Sequence, residues 1–597
     1  MNIAVGIIKM RQAELEEAEK YLKTGLGRVT QSYYRPREGE AYYYHGLVLK
    51  YLGRYSEAYT DLYQATWSEG FHSAAFYELA QIDCRRGDFA RALEHLDRSL
   101  STNANNISAR SLKAVALRKL GRFDEAAKIA AEAGAMDVLD FWSRNELSLA
   151  KSALAQKGEA ADVLNDLKKK MRDEVQSYLE LSLEYGNIGL WDEGIDILSR
   201  LIEQKATNPL VYYYGGYFTE QKGDKEKANQ YYRQAKEMPP DYCFPFRLEE
   251  IVILQAAMKN DPQDAMAPYY LGNLLYEKQP AEAIKQWEKS RSLGANFSTL
   301  HRNLGYGYDL IEKNIPKAMA SYEQAISCDP KDTRIIFEYD ALGEKAQIAP
   351  GKRLAFLEKH HETLISSTYL LPLESEIRLH VRLGHYDKAI ELARPYHFRR
   401  WEGGANVHTA YVDANLLRGL EHFRAKDYEK ALKYMEEAAT FPLNMEAAED
   451  FAGGRTCEIF YRTGTVYEAM GNKEKAKEFY EKAVAERQYY DELDVSHYYR
   501  GLALQKIGRS GEAVKLFDEL IKQEENDLRS IETSTGLSFF AKFGERDTPE
   551  VRKARAHYLM GLGYAGKNDR TRARMEFEKA AQLNINLLWP RALLSLL

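Results

Sequence analysis

Apolar residues return along this chain at helical spacing, and the arrangement repeats as a block. Three consecutive segments, EAYYYHGLVLKYLGRYSEAYTDLYQA, AAFYELAQIDCRRGDFARALEHLDRS and SARSLKAVALRKLGRFDEAAKIAAEA, align without gaps. Their small residues Gly46, Ala80 and Ala114 stand 34 apart, as do Gly53, Gly87 and Gly121, and Ala58, Ala92 and Ala126. This spacing predicts a helical hairpin. The first small residue lets two helices approach, the middle glycine ends the first helix at positive φ, and the second small residue seats the partner helix. The small pair, 12 apart, recurs at Gly6 and Ala18, Ser182 and Gly194, Gly216 and Ala228, Gly419 and Ala431, Gly464 and Ala476, Gly501 and Ala513, and Gly561 and Ala573. Gly272 and Ala283 are one residue short and Gly305 and Ala318 one long, which makes twelve recognisable units.

The order of small residues, aromatic and helix-ending proline, with Pro330 after YEQAISCD, resembles the tetratricopeptide repeat (TPR) family. The resemblance implies an all-α fold, a right-handed TPR superhelix or α-solenoid of about twelve hairpins, whose first helices line a concave groove and whose units touch only their neighbours. Departures from the repeat suggest joints. Residues 25–40 are an insertion, residues 136–176 keep helical periodicity but lose the small-residue pattern, 331–375 are irregular, and 522–552 form a polar insertion containing Ser534, Thr535 and Gly536. The expected blocks are therefore 1–135, 136–345 with a degenerate first unit, and 346–597 with the insertion near 522–552.

Several strings are closer still to the C-terminal TPR array of large uncharacterised bacterial proteins that carry a domain of unknown function ahead of the repeats. They are FYELAQIDCRRGD at 76–88, HLDRSLSTNANN at 95–106, FPFR at 244–247 and the WEGG tract at 401–404. That resemblance implies a β-rich front domain with a carbohydrate connection, and no activity to carry over to these residues.

Composition narrows the function classes. A formal net charge of −6 on 597 residues, with no basic stripe, argues against a nucleic-acid partner. No apolar run approaches the ~20 residues of a membrane span, and the segment after Met1 lacks the apolar core followed by small residues that marks a signal peptide, so a cytoplasmic chain with no membrane partner is expected if the sequence is not a piece cut from a longer protein. Cys84, Cys243, Cys328 and Cys457 show no metal-ligand spacing and read as reduced, mostly buried thiols. There is no HExxH, no phosphate-binding glycine loop, no GxSxG and no Cys/His pair at diagnostic spacing. The pair His360-His361 with Glu362 lacks a third ligand. A chain with no catalytic residues, no cofactor and no metal is expected.

Tyrosine is the outlier, with 42 Tyr against 22 Phe and 6 Trp. Three residues before the first small residue, where a TPR unit faces its groove, stand Tyr43, Tyr77, Tyr213, Tyr269, Tyr461, Tyr498 and Tyr558. Neighbouring groove positions add Tyr51, Tyr217, Tyr276 and Tyr306, with Arg302 and Arg118 nearby. Such a stripe offers stacking faces and hydroxyls to a peptide or a sugar chain. Alternatively each ring fills the gap between hairpins with its hydroxyl bonded to the next helix. Some TPR domains clamp a partner's carboxylate terminus with Lys and Asn at these positions. Tyrosine stands at most of them here, which disfavours a chaperone-tail receptor.

The tract HFRRWEGGANVHTAY, 397–411, would supply Arg399 and Arg400 for an anion, Trp401 for stacking and Glu402 for a hydrogen bond, or else simply turn the chain. In FPFR, Pro245 is expected to stop an element while Phe244 and Phe246 pack under the next hairpin. Trp589, Pro590 and the closing ALLSLL suggest an uncapped end available for self-association. The reading reached is a scaffold that binds a protein or peptide partner, or an upstream domain of the same protein, in a tyrosine-lined groove. The alternative is a non-catalytic arm of a larger carbohydrate-related protein.

Overall fold

A computed structural model describes residues 1–31, 38–399, 407–447, 455–486, 493–533 and 548–595. Among these residues every regular element is helical, and the chain is an all-α solenoid of TPR-type hairpins. Its internal contacts divide it into two units, Met1–Lys313 and Asn314–Leu597.

In unit 1, helix Asn2–Arg11 pairs with Leu15–Val29, Glu40–Tyr51 with Tyr55–Ala65, Glu69–Arg85 with Phe89–Thr102, and Ile107–Lys119 with Phe123–Met136. The series continues through Phe141–Ala153 with Lys157–Met171, Val175–Asn187 with Trp191–Ile202, and Pro209–Gln221 with Lys225–Glu237. A lone helix, Leu248–Asn260, then separates the stack from the hairpin Met266–Leu275 and Pro280–Ser292. In unit 2 the pairs include Leu371–Arg382 with Tyr386–Ala393, Val407–Arg424 with Tyr428–Ala438, Arg455–Ala469 with Lys473–Ala485, Val495–Lys506 with Ser510–Thr533, and Pro549–Gly566 with Arg570–Leu583.

The repeat works as a lock between a hole and a ring. Sixteen residues after the first small residue, the second helix presents a large side chain to it: Leu62 to Gly46, Tyr232 to Gly216, Tyr480 to Gly464, Phe517 to Gly501 and Phe577 to Gly561. A Cβ on Gly216 or Gly561 would lie 2.5 Å from the opposing ring, so only the missing side chain makes room. Seven residues after the small residue comes the corner, at positive φ in Gly53 (75°), Gly87 (78°) and Gly121 (75°) as expected, but also in Ala13, Ala155, Lys426 and Asn568. The next residue starts the second helix. Asp88, Asp224, Asn472 and Asp569 cap it there, each accepting from the backbone N–H three residues on at 3.1 Å. Where arginine stands instead, at 54, 122 and 509, it pairs with the glutamate three residues on at 2.6 Å.

Residues 136–176 hold a full hairpin. Ser148 and Ala160 extend the 34-residue series that runs through Ala114 and Ala126 to Ser182 and Gly194, and helix Phe141–Ala153 packs on its neighbours before and after. Serine fits the small position because its hydroxyl donates to Ala160 O at 2.8 Å, so its polarity is satisfied inside the hairpin. The irregular stretch 331–375 uses another device. Helices Thr333–Lys345 and Pro350–Lys359 are joined by buried Arg353, whose guanidinium makes two 2.8 Å bonds to Asp340. The FPFR expectation is corrected: Phe244 (73 % exposed) and Phe246 (51 %) face solvent beside Tyr242 (88 %). Glu250, which accepts from the Phe246 and Arg247 N–H groups at 2.7 and 2.8 Å, fixes the helix start without needing the rings.

Candidate functional site

Each unit closes on itself, and this decides what the first helices can offer. In unit 1, Gln279 Nε2 donates to Gln12 O at 2.9 Å across 267 residues of chain. Arg85 reaches Gly186 O at 3.2 Å and lies over the rings of Tyr55 (4.7 Å) and Trp191 (5.0 Å). Charges line the interior. Lys50 pairs with Glu78 at 2.5 Å, Arg247 with Glu180 at 2.6 Å, and Arg118 with Glu146 at 2.6 Å and Glu193 at 3.2 Å. Burial lifts the Glu184 carboxyl to about 7, against the pull of Arg247 and Lys50.

Within this interior the tyrosines divide into two sets. Tyr213 is fully buried; its hydroxyl donates to Asp264 Oδ2 at 2.9 Å, and its ring meets Tyr270 edge-on. Tyr269 is buried as well, donating to Thr299 Oγ1 at 3.3 Å and packing edge-on against Phe297. Both rings join one helix to the next and have little surface for a partner. Tyr43 is half-buried against Tyr44 and Phe71, and Tyr77 is half-buried, with its phenol pushed up by burial and by Glu184. Tyr217 lies half-buried, edge-on to Trp191. In the second set only Tyr306 is exposed: half-buried Tyr276 stacks on Trp287 at 5.3 Å and meets Tyr306 at 5.9 Å, and half-buried Arg302 stands over the Tyr306 ring at 6.0 Å. Tyr306 is 36 % exposed, and burial with the neighbouring Tyr306 raises the Tyr276 phenol to about 12.

In unit 2, Tyr461 and Tyr498 are half-buried and Tyr558 is buried. They sit around a cluster the sequence reading missed. Glu458 binds Arg455 at 2.8 Å and Arg462 at 2.7 Å, and Arg455 also binds Asp413 at 2.5 Å. Burial opposes ionisation of Glu458, but the two guanidiniums hold its carboxyl below the usual range. Trp589 enters this cluster, its indole N–H donating to Asp413 Oδ1 at 2.9 Å. Trp589, Pro590 and Leu593 are buried in their own unit, which corrects the expectation that they present an open end to a second copy. The two arginines at inner positions of one repeat were the available signal.

Of the 397–411 tract, Arg399 is exposed, whereas Arg400, Trp401 and Glu402 lie outside the described residues. The chain leading into it is clasped by Asn444, whose side-chain amide donates to the carbonyls of Ala393, Arg394 and Tyr396 at 2.8–3.1 Å. His361 binds Glu376 at 2.9 Å, and among the described residues no three His, Cys, Asp or Glu side chains converge as metal ligands. Cys84, Cys243 and Cys457 are buried and Cys328 is exposed. No described helix is long and apolar enough to cross a membrane.

Comparison with known proteins agrees with the repeat. The family model described as "Anaphase-promoting complex, cyclosome, subunit 3" matches residues 68–133, and the model "Tetratricopeptide repeat" matches 216–242 and 458–488. Hsp70-Hsp90 organizing protein 3 of Arabidopsis thaliana is 22 % identical over 260 residues, 42 % of each chain. The Hsp70-Hsp90 organizing protein of Triticum aestivum is 25 % identical over 267 residues, 43 % of this chain and 41 % of that protein. The chain thus spans about two fifths of the length of these relatives. Among solved structures, MamA is 21 % identical over 28 % of this chain and 92 % of its own (TM-score 0.18). The Naa15/Naa10 complex bound to HypK-THB is 14 % identical over 99 % and 90 % (TM-score 0.23).

Proposed function

We propose that this chain is a non-catalytic, cytoplasmic interaction scaffold whose unit 1 captures an extended peptide segment or partner domain on the face made by its first helices. The observation that carries this reading is the cluster of exposed Tyr306 with half-buried Tyr276 and Arg302 against it, two aromatic rings and a guanidinium brought together. Aromatic rings and arginine with an apolar base are the side chains that contribute most at interface centres. Tyr43, Tyr77 and Tyr217 extend the surface with partial exposure, while Tyr213 and Tyr269 support it from within. Arg399, with Arg400, Trp401 and Glu402, is proposed as a second contact for a partner in unit 2.

The organizing proteins, by their names, organise Hsp70 and Hsp90. The organising role is what this proposal carries over, and tyrosine at the positions of the carboxylate clamp points to a partner other than a chaperone tail. The closer likeness to arrays of large bacterial proteins would place a further domain in the same scaffold. The test is a peptide and oligosaccharide array probed with the intact chain and with the Tyr276→Ala, Arg302→Ala, Tyr306→Ala triple variant. Peptide ligands lost by the variant at unchanged melting temperature support the proposal; ligands retained by it defeat it. Oligosaccharide ligands in their place would move the reading to a carbohydrate-related protein.

A further inference from the structure

The interior of unit 2 is occupied by the chain itself. After helix Arg570–Leu583 the backbone turns inward, and its anchors lie far back in the sequence. Asn586 accepts from Arg353 at 3.1 Å and Arg382 at 3.2 Å and donates to Glu344 O at 3.2 Å, and Gln347 donates to Leu583 O at 3.0 Å. Three residues on, Trp589 bonds Asp413, 176 residues away, and its ring is flanked by the guanidiniums of Arg455 at 4.8 Å and Arg462 at 5.4 Å.

A segment that merely capped the last hairpin would cover apolar surface of that hairpin. This one packs on helix Arg570–Leu583 and, beyond that, reaches helices from several earlier hairpins through directional polar contacts. The receiving groups are also tied to one another, since Glu458 pairs with both arginines and Arg455 pairs with Asp413. Cations over the ring face and a carboxylate at the indole N–H make a receptor for tryptophan, because Phe lacks the donor and would leave Asp413 with one fewer partner. An open cleft of about 330 Å³ lies beside Trp589, lined by Arg382, Thr409, Asp413 and Asn586.

We infer that the interior of unit 2 is a binding groove for a segment that presents a tryptophan on a short helix, and that residues 584–594, which include helix Leu588–Leu594, are its resident occupant, displaced by a partner segment of the same chemistry. This site is separate from the unit 1 surface, and either can fail without the other.

The test uses the full-length chain and a fluorescent synthetic peptide of residues 584–597. A tethered occupant competes at an effective concentration of about 1 mM, so wild type excludes the peptide, while Trp589→Ala, which loosens the occupant, binds it at least about 30-fold more tightly. Adding Asp413→Ala to that variant, or changing the peptide's own tryptophan to Phe, weakens binding about tenfold or more. Asn586→Ala, which strips the polar clasp and leaves the ring, gives a smaller gain over wild type. Equal peptide binding by wild type and Trp589→Ala overturns the inference, as does a folded Trp589→Ala chain that takes no peptide. If Trp589→Ala fails to fold, Asn586→Ala decides: peptide affinity no better than wild type overturns the inference.

Discussion

Gly501 offers the sharpest test of the hole-and-ring lock. A Cβ at this position would lie 2.5 Å from Phe517 Cζ, well inside the about 3.5–4.0 Å of normal carbon contact. The ring has little room to move, because Gly566 also packs against it, where a Cβ would again come within 2.5 Å, and Phe517 has no exposed surface. Gly501→Ala should therefore cost about 2–3 kcal/mol of overpacking, offset by about 0.5–1 kcal/mol of helix preference for alanine, leaving a net loss of about 2 kcal/mol. Gly27→Ala is the control. It lies exposed in helix Leu15–Val29 with nothing within 4 Å of its added methyl, so the same chemical change should stabilise by about 0.5–1 kcal/mol. Because hairpins in a solenoid open semi-independently, the assay is hydrogen exchange by mass spectrometry on helices Val495–Lys506 and Leu15–Val29, backed by urea unfolding. Combining Gly501→Ala with Phe517→Leu should recover about 1 kcal/mol or more of the loss. A Gly501→Ala chain as well protected as Gly27→Ala would refute the lock.

Three further outcomes follow from local chemistry. Lys426 takes the corner at φ 62° that glycine fills elsewhere, so Lys426→Gly should stabilise unit 2 by about 1 kcal/mol in urea melts. Arg353→Ala strands buried Asp340 and should cost about 3–5 kcal/mol, most of it recovered by adding Asp340→Ala, as read by thermal unfolding. Glu184 has its folded pKa raised to about 7 from 4.5, so the folded state holds the extra proton between those values and unit 1 loses stability as pH rises through that window. Glu184→Gln should flatten that slope and raise stability at pH 8 by on the order of 2 kcal/mol; an unchanged slope in melts from pH 4.5 to 8 would rule this out.

What could be read along the chain was whatever the repeat demands locally. Gly46, Gly216 and Gly501 were legible because a close approach tolerates no Cβ, and Gly53, Gly87 and Gly121 because the corner needs positive φ. Ser148 hid a whole hairpin, since a hydroxyl that bonds Ala160 O does the same job as a hydrogen or methyl. Asp340 and Arg353 hid another by joining two helices with an ion pair in place of small residues. The tyrosine stripe was visible as a stripe, but which rings bridge helices and which stay open depends on partners such as Asp264 and Thr299, 51 and 30 residues away. The closures Gln12 to Gln279 and Asp413 to Trp589 follow from the accumulated curvature of many hairpins, which no 34-residue pattern encodes.

The central claim, that the first helices present the binding face, is tested most directly by photo-crosslinking. p-Benzoylphenylalanine placed at Tyr306, and separately at Glu226, an exposed position on the second helix Lys225–Glu237, reports where an array-selected peptide ligand sits on the intact chain. The account predicts crosslinks at 306 and none at 226. Crosslinks at 226 with none at 306 would contradict it.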